Sequence, residues 1–174
     1  MGRVAAEEMD AFESLYRLYH PRLTRFLGNM TQRPALVEEI LDDTMLVVWH
    51  KAHTYNPSAK VSTWIFAIAW RQALKALRQI DDVVEFCADK QAGPPGAEPD
   101  GELQQQELRT RLGQALSSLS AEHRAVIELT YYFGYACREI AQIMGCPVDT
   151  VKTRIFYARR RLKTLLALDR EEAG

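Results

Sequence analysis

The side chains best placed to do chemistry lie near the C-terminal end of this 174-residue chain, in the stretch REIAQIMGCPVDTVKTRIFYARRRLK at residues 138–163. From Val148 to Lys163 six basic residues (Lys152, Arg154, Arg159, Arg160, Arg161, Lys163) stand against one acid, Asp149. Guanidinium and ammonium groups at this density, with Phe156 and Tyr157 among them, suit a polyanion: cations neutralise phosphates, while Arg and Lys also reach base edges. On a helical wheel Val148, Val151, Ile155, Ala158, Leu162 and Leu165 form one apolar stripe, which must face inward. Thr153, Phe156, Tyr157 and Arg160 fall opposite. They are flanked by Lys152, Arg159 and Lys163 on one edge and by Arg154 and Arg161 on the other. A solvated basic helix would show the same charges, but this one follows a tight Gly-Cys-Pro turn.

A second constellation is Arg71, Lys75 and Arg78, spaced i, i+4, i+7, with Trp64 and Ala67 on the same stripe. Cations beside an aromatic ring fit single-stranded nucleic acid, where bases stack on rings and charges hold the backbone. The preceding loop, with Tyr55, Asn56, Ser58 and Lys60, offers donors for an unstacked base. A core tryptophan beneath solvated cations would give the same pattern, so both readings stand at this point. A third constellation has the opposite sign. Glu38, Glu39, Asp42 and Asp43 point outward from a stripe of Val37, Ile40, Leu41, Thr44, Val47 and Val48, and Leu46 and Trp49 fall on or near that outer side. Large apolar groups in an acidic face suggest a docking patch for a basic protein.

Other chemistry is excluded by type and spacing. Glu39, Asp42, Asp43, His50 and His53 share one helix, but a di-metal site in a helical bundle needs Glu-x-x-His pairs from facing helices, and none occurs. Cys87, Cys137 and Cys146 form no CxxC or Cys/His zinc pattern, so reduced thiols, no metal and no cofactor are expected. The chain also lacks a nucleophile constellation for an enzyme acting on nucleic acid. Its longest apolar run, WIFAIAW at residues 64–70, is far short of the roughly 20 residues needed to span a bilayer. MGRVAAEEMD lacks a signal-peptide core, so a cytoplasmic location is expected.

These groups must be positioned by helices. Phe12, Leu15, Tyr19, Leu23, Phe26, Leu27 and Met30 recur at three- and four-residue steps. A second helix is expected from about Pro34 to His53, and a third, after the loop TYNPSAKVS, from about Thr63 to Ile80. Eight acids against Lys90 alone between Asp81 and Glu107, with several Pro and Gly, mark residues 81–106 as an acidic flexible linker. Periodicity resumes with Leu108, Leu112, Ala115, Leu116 and Leu119, and Ser120 is placed to cap the helix AEHRAVIELTYYF. Glu139 to Met144, the Gly145 turn and the helix opened by Pro147 then read as a helix-turn-helix with Ala141 at the crossing. The fold class is all-α: two small helical domains, residues 1–80 and 107–174, joined by the linker.

In sequence the chain resembles the extracytoplasmic-function (ECF) sigma factors of bacterial RNA polymerase. The resemblance is carried in order by FESLYRLYHPRLTRFL, VEEILDDTMLVVWHKA, STWIFAIAWRQALKALRQ and LSSLSAEHRAVIELTYYFGYACREIAQIMGCPVDTVKTRIFYARRRL. It implies that Glu38, Glu39, Asp42, Asp43, Leu46 and Trp49 meet the clamp helices of the polymerase β′ subunit. It further implies that Tyr55, Asn56, Lys60, Trp64, Arg71, Lys75 and Arg78 capture and melt the minus-ten promoter element. Thr150, Lys152, Thr153, Arg154, Phe156, Tyr157, Arg159 and Arg160 would read the minus-thirty-five element, with the other face of that domain on the β flap and the linker threading toward the RNA exit path. An anti-sigma factor is the regulatory partner implied. The sequence departs from common family residues at Arg71, where many members have asparagine, at Asp42 and Asp43, where Gln-Glu is frequent, and at Tyr157, which replaces an arginine. A helix-turn-helix repressor or activator working without polymerase is the alternative on the C-terminal half alone.

Overall fold

A computed structural model describes residues 1–31, 33–84 and 103–172, with side chains at 1–31, 33–80 and 109–167. Helices account for the regular structure, and no strand occurs among the described residues. Most of the linker read from the sequence, with Cys87 in it, lies outside the described residues.

A short α1 (Gly2–Ala5) tucks Val4 into the core. In α2 (Met9–Thr31) the three- and four-residue spacing buries Tyr19, Leu23, Phe26, Leu27 and Met30 on one face. α3 (Pro34–Lys51) begins at Pro34, whose missing N–H costs nothing in a first turn. It buries Val37, Ile40, Leu41, Thr44, Met45 and Val48, while Val47 is only half-buried. Thr44 is tolerated there because its hydroxyl donates to the Ile40 carbonyl at 2.7 Å. A 3-10 turn at Ala52–Thr54 and the loop to Lys60 lead into α4 (Val61–Val84), which fills the centre with Ile65, Phe66, Ile68, Ala69, Trp70 and Ala73.

The C-terminal half starts with α5 (Leu103–Ser117), so α4 and α5 each run a few residues into the stretch expected as linker. Ser120 caps α6 (Ala121–Ile127) by accepting from the His123 N–H at 3.3 Å. The helix expected to continue through Phe133 instead widens into a π-helical turn at Glu128–Tyr132. Its bonds run Phe133 N–H to Glu128 carbonyl and Tyr135 N–H to Leu129 carbonyl. α7 (Cys137–Met144) is tied at its start by Glu139, whose carboxylate accepts from the Ala136 N–H at 2.9 Å. It ends at Gly145 with φ 63°, a left-handed cap that glycine adopts without Cβ strain. α8 (Val148–Glu172) buries Val151 and Ala158 fully and Val148, Ile155, Leu162 and Leu165 partly, as the stripe requires.

The two helical domains pack against each other. Phe133 and Tyr135, presented by the π-helical turn and by Gly134 at φ 70°, pack on Phe26 and Phe66 of the N-terminal half, with ring centroids 5.0–6.3 Å apart. One continuous apolar core runs from α2 to α8. Around this seam Arg22 stands over the rings of Tyr19, Phe66 and Phe133 at 5.3–5.7 Å, and Arg25 stacks on Tyr132 at 3.4 Å. Arg25 also pairs with the buried Glu128 at 2.9 Å, and Arg124 donates to the Met30 carbonyl at 3.3 Å.

Candidate nucleic-acid interface and docking surface

The recognition helix is positioned from below. Val151 and Ala158 anchor α8 in the core, and α7, with the small Ala141 buried, packs against it. The outward face then follows from helical geometry: Lys152, Thr153, Phe156, Tyr157, Arg159 and Arg160 are all exposed. Phe156 and Tyr157 leave 61% and 52% of their surfaces to solvent, an unusual cost unless a partner covers them, and their rings meet edge-on at 5.4 Å. Thr150 and Arg154 are half-buried. Arg154 turns back to the Cys146 sulfur at 3.7 Å, so Cys146 belongs to the packing of the turn. Lys152 reaches Asp149 at 3.4 Å, a loose exposed pair that leaves its ammonium free to exchange partners. A cleft beside α8, lined by Ser118, Ser120, His123, Tyr157, Arg160 and Arg161, extends the cationic surface toward α6.

The stripe on α4 is as expected for its cations, since Arg71, Lys75 and Arg78 are exposed, but Trp64 is not. It is half-buried, packed against the core and edge-on to Tyr55 at 5.6 Å. The aromatic and the cations therefore share a helix face without forming an open stacking platform. The loop is built to hold shape: Asn56 Oδ1 accepts from the Ser58 N–H at 2.9 Å, and the Tyr55 hydroxyl donates to the Ala59 carbonyl. Lys60 is drawn away from the loop, pairing with Glu139 of α7 at 2.8 Å. Glu139 is held below the usual carboxylate range by that Lys60 hydrogen bond first and by the Ala136 N–H second, and Lys60 is raised in return.

On α3, Glu38, Glu39, Asp42 and Asp43 are exposed, and Leu46 leaves 55% of its surface open among them. Trp49 is half-buried instead, its ring edge-on to Phe12 at 4.9 Å. Leu46 is thus the apolar centre of the acidic face, and Trp49 its supported margin. The periodicity argument located these surfaces but missed the seam residues Arg22, Arg25 and Glu128. Their partners lie 103 and 113 residues away, and no local pattern announces them.

Comparison with known proteins joins these surfaces into one machine. The Sigma-70 region 2 family matches residues 15–82, which hold the acidic face and the α4 stripe, and the Sigma-70, region 4 family matches residues 109–162, which hold the helix-turn-helix. The ECF RNA polymerase sigma factor RpoE of Cereibacter sphaeroides is 35% identical over 164 residues, 88% of this chain and 84% of the relative. SigL of Mycobacterium tuberculosis, also an ECF RNA polymerase sigma factor, is 31% identical over 170 residues, 95% of this chain and 96% of the relative. The solved structure of the sigma factor RpoE in complex with the anti-sigma factor NepR from Bartonella quintana superposes with a TM-score of 0.73 at 26% identity, over 91% of this chain and 98% of that one. CnrH, solved with the cytosolic domain of CnrY, has the same fold at a TM-score of 0.69 and 24% identity, over 97% of this chain and 95% of that one. A helix-turn-helix alone leaves open whether a protein acts with polymerase, but both sigma regions in order, in relatives matched along nearly their whole length, close the question: the chain belongs to the ECF sigma factors of bacterial RNA polymerase.

Proposed function

We propose that the three surfaces divide the work of promoter recognition and initial melting, with no reaction catalysed by the chain itself. Residues 1–80 act as the docking and melting unit, residues 107–174 as the duplex reader, and residues 81–106 as the acidic connection between them. The acidic α3 face, centred on Leu46 and formed by Glu38, Glu39, Asp42 and Asp43, takes the β′ clamp helices, while Trp49 braces it from Phe12. The exposed cations Arg71, Lys75 and Arg78 hold the minus-ten strand, with Tyr55, Asn56 and Trp64 shaping the adjoining loop. The outer face of α8 reads the minus-thirty-five element: Lys152, Thr153 and Phe156 toward base edges, Tyr157, Arg159 and Arg160 toward stacking or phosphate contacts.

The observation that carries this reading is one helical half presenting an acidic face with an exposed leucine on α3 and a cationic stripe on α4. A protein that bound duplex DNA unaided would have no use for the first. The likeness to RpoE solved with NepR supports an anti-sigma factor as regulatory partner. A protein working on polymerase belongs in the bacterial cytoplasm, and no described helix is long and apolar enough to cross a membrane.

The test is run-off transcription with purified core polymerase over a promoter library from the source genome. Transcripts should depend on the chain, and Leu46→Ala should weaken core binding and reduce transcript yield together, with the fold unchanged. Promoter-specific DNA binding that needs no core, with core affinity unaltered by Leu46→Ala, would overturn the reading.

A further inference from the structure

The cleft beside α8 encloses about 500 Å³, with Tyr157, Arg160 and Arg161 on one wall and Ser120 and His123, at the start of α6, on the other. Leu119, buried in the core, backs it. No carboxylate lines it, and neither guanidinium has an ion pair or hydrogen bond among the described residues. Its hydroxyls divide by direction. Ser118 and Thr164 donate to the carbonyls of Gln114 and Arg160, at 3.0 and 3.2 Å, and so shape the walls. Ser120 accepts from the His123 N–H, which leaves its own O–H free to donate. Two guanidinium forks, an imidazole and a free hydroxyl with no acid among them suit an anion, above all phosphate. The ring of Tyr157, 52% exposed, adds a face on which a base can stack.

A promoter duplex accounts for only one edge of this cleft. A recognition helix gives its N-terminal turns to the groove. Arg161 and Thr164 stand nine and twelve residues beyond Lys152, about 14 and 18 Å further along the axis, and His123 belongs to another helix. Duplex seated on Lys152, Thr153 and Phe156 therefore meets Tyr157 and Arg160 at the rim and leaves Arg161, His123 and Ser120 unclaimed. Size points the same way, since small-molecule sites run to roughly 300–1,000 Å³. Two forked cations on neighbouring positions also match adjacent phosphates better than a lone one.

We propose that the cleft is a binding site for a nucleotide carrying two or more phosphates. Arg160 and Arg161 hold the phosphates with Ser120 and His123 opposite, and the base lies on Tyr157. Because Tyr157 and Arg160 also belong to the face assigned to the minus-thirty-five element, nucleotide and duplex exclude each other there, and occupancy lowers promoter binding. That competition rests on the promoter reading above, whereas nucleotide binding is measurable without it.

The experiment is calorimetric titration of the full chain with ADP and GDP, with adenosine and inorganic phosphate as fragments. Arg161→Ala, His123→Ala and Lys163→Ala are compared with the wild type, and Arg161→Ala, at an exposed position, carries the test should His123→Ala fail to fold by circular dichroism. A nucleoside diphosphate should bind at one site per chain and more tightly than either fragment. Arg161→Ala should weaken it about tenfold and His123→Ala about fivefold. Lys163→Ala, which removes an exposed cation outside the cleft, should change it less than about twofold. Absence of saturable binding by either diphosphate, or equal losses in all three variants, would overturn the site. In holoenzyme, a saturating diphosphate should weaken binding to minus-thirty-five duplex at least fivefold, and Arg161→Ala should remove most of that effect while binding duplex as the wild type does. Nucleotide binding with duplex affinity untouched would overturn the competition. Duplex affinity falling in Arg161→Ala and His123→Ala as far as nucleotide affinity does would give the cleft to the DNA backbone and overturn the proposal. Failure of the promoter reading would register separately, as absence of chain-dependent transcripts from the wild type with core and no added effector.

Discussion

Lys152 shows how far a single side chain is specified. Its position on the outer face follows from Val151 and Ala158 being buried, since a helix that hides those two must turn Lys152 outward. What it contacts there is a matter of charge and reach. If it reads a base edge, Lys152→Ala should cost about 1–3 kcal/mol of binding to minus-thirty-five duplex in the holoenzyme and relax preference at one base pair. Fluorescence anisotropy on matched and scrambled duplexes checks this, and equal losses on both would make it a phosphate contact instead. Trp64 and Trp49 teach the complementary lesson. A wheel places both near an outer face, yet each ring finds an aromatic neighbour, Tyr55 or Phe12, contributed by a different element. Wheel position reports direction, and whether a large side chain stays open depends on neighbours that no single helix encodes.

At the scale of elements, the helices were legible because their stabilising pattern is local. Three- and four-residue apolar steps, Pro34 at a first turn, Ser120 as a cap and Gly145 as a stop all act within a few residues of the helix they define. The Gly145 turn permits a direct test. At φ 63° a Cβ would meet nothing within 4 Å, so the cost of Gly145→Ala is purely conformational. A loss of about 1–2 kcal/mol is expected from urea unfolding, with Gly145→Asn milder. The π-helical turn at Glu128–Tyr132 was not legible, because ELTYYF carries ordinary helical periodicity. The wider turn is favoured by what Phe133 and Tyr135 gain on Phe26 and Phe66, and those partners come from distant helices of the N-terminal half.

For the whole molecule, the packing of the two halves on each other is the feature least visible in the sequence. Two amphipathic blocks on either side of an acidic, Pro- and Gly-rich segment announce the two domains, but not the apolar contact that joins their cores among the described residues. The edge of the seam should respond to pH with a defined sign. Glu139 is lowered from its ordinary 4.5, so the Lys60–Glu139 pair contributes fully above about that pH and is lost as pH falls through the lowered folded value. Lys60 is raised from 10.5, so the same contribution holds below that pH and fades only above the raised value. Energy transfer between dyes on the two halves should thus be flat through the neutral range and fall in acid, most clearly at low salt, because the lysine is exposed and screened. Unchanged transfer down to pH 3 would remove this pair from the contacts that hold the two halves together.

Arg124 tempers those contacts. Its guanidinium reaches the Met30 carbonyl across the seam, but its Nε is shut away from solvent with no acceptor among the described residues, and burial disfavours its charge more than Glu122 compensates. A cation shielded and only partly satisfied gains hydration the moment the halves part. An aliphatic residue in its place would make the joint more adhesive and slower to reverse. The arginine thus joins the two halves while keeping the contact between them less adhesive than an apolar side chain would make it.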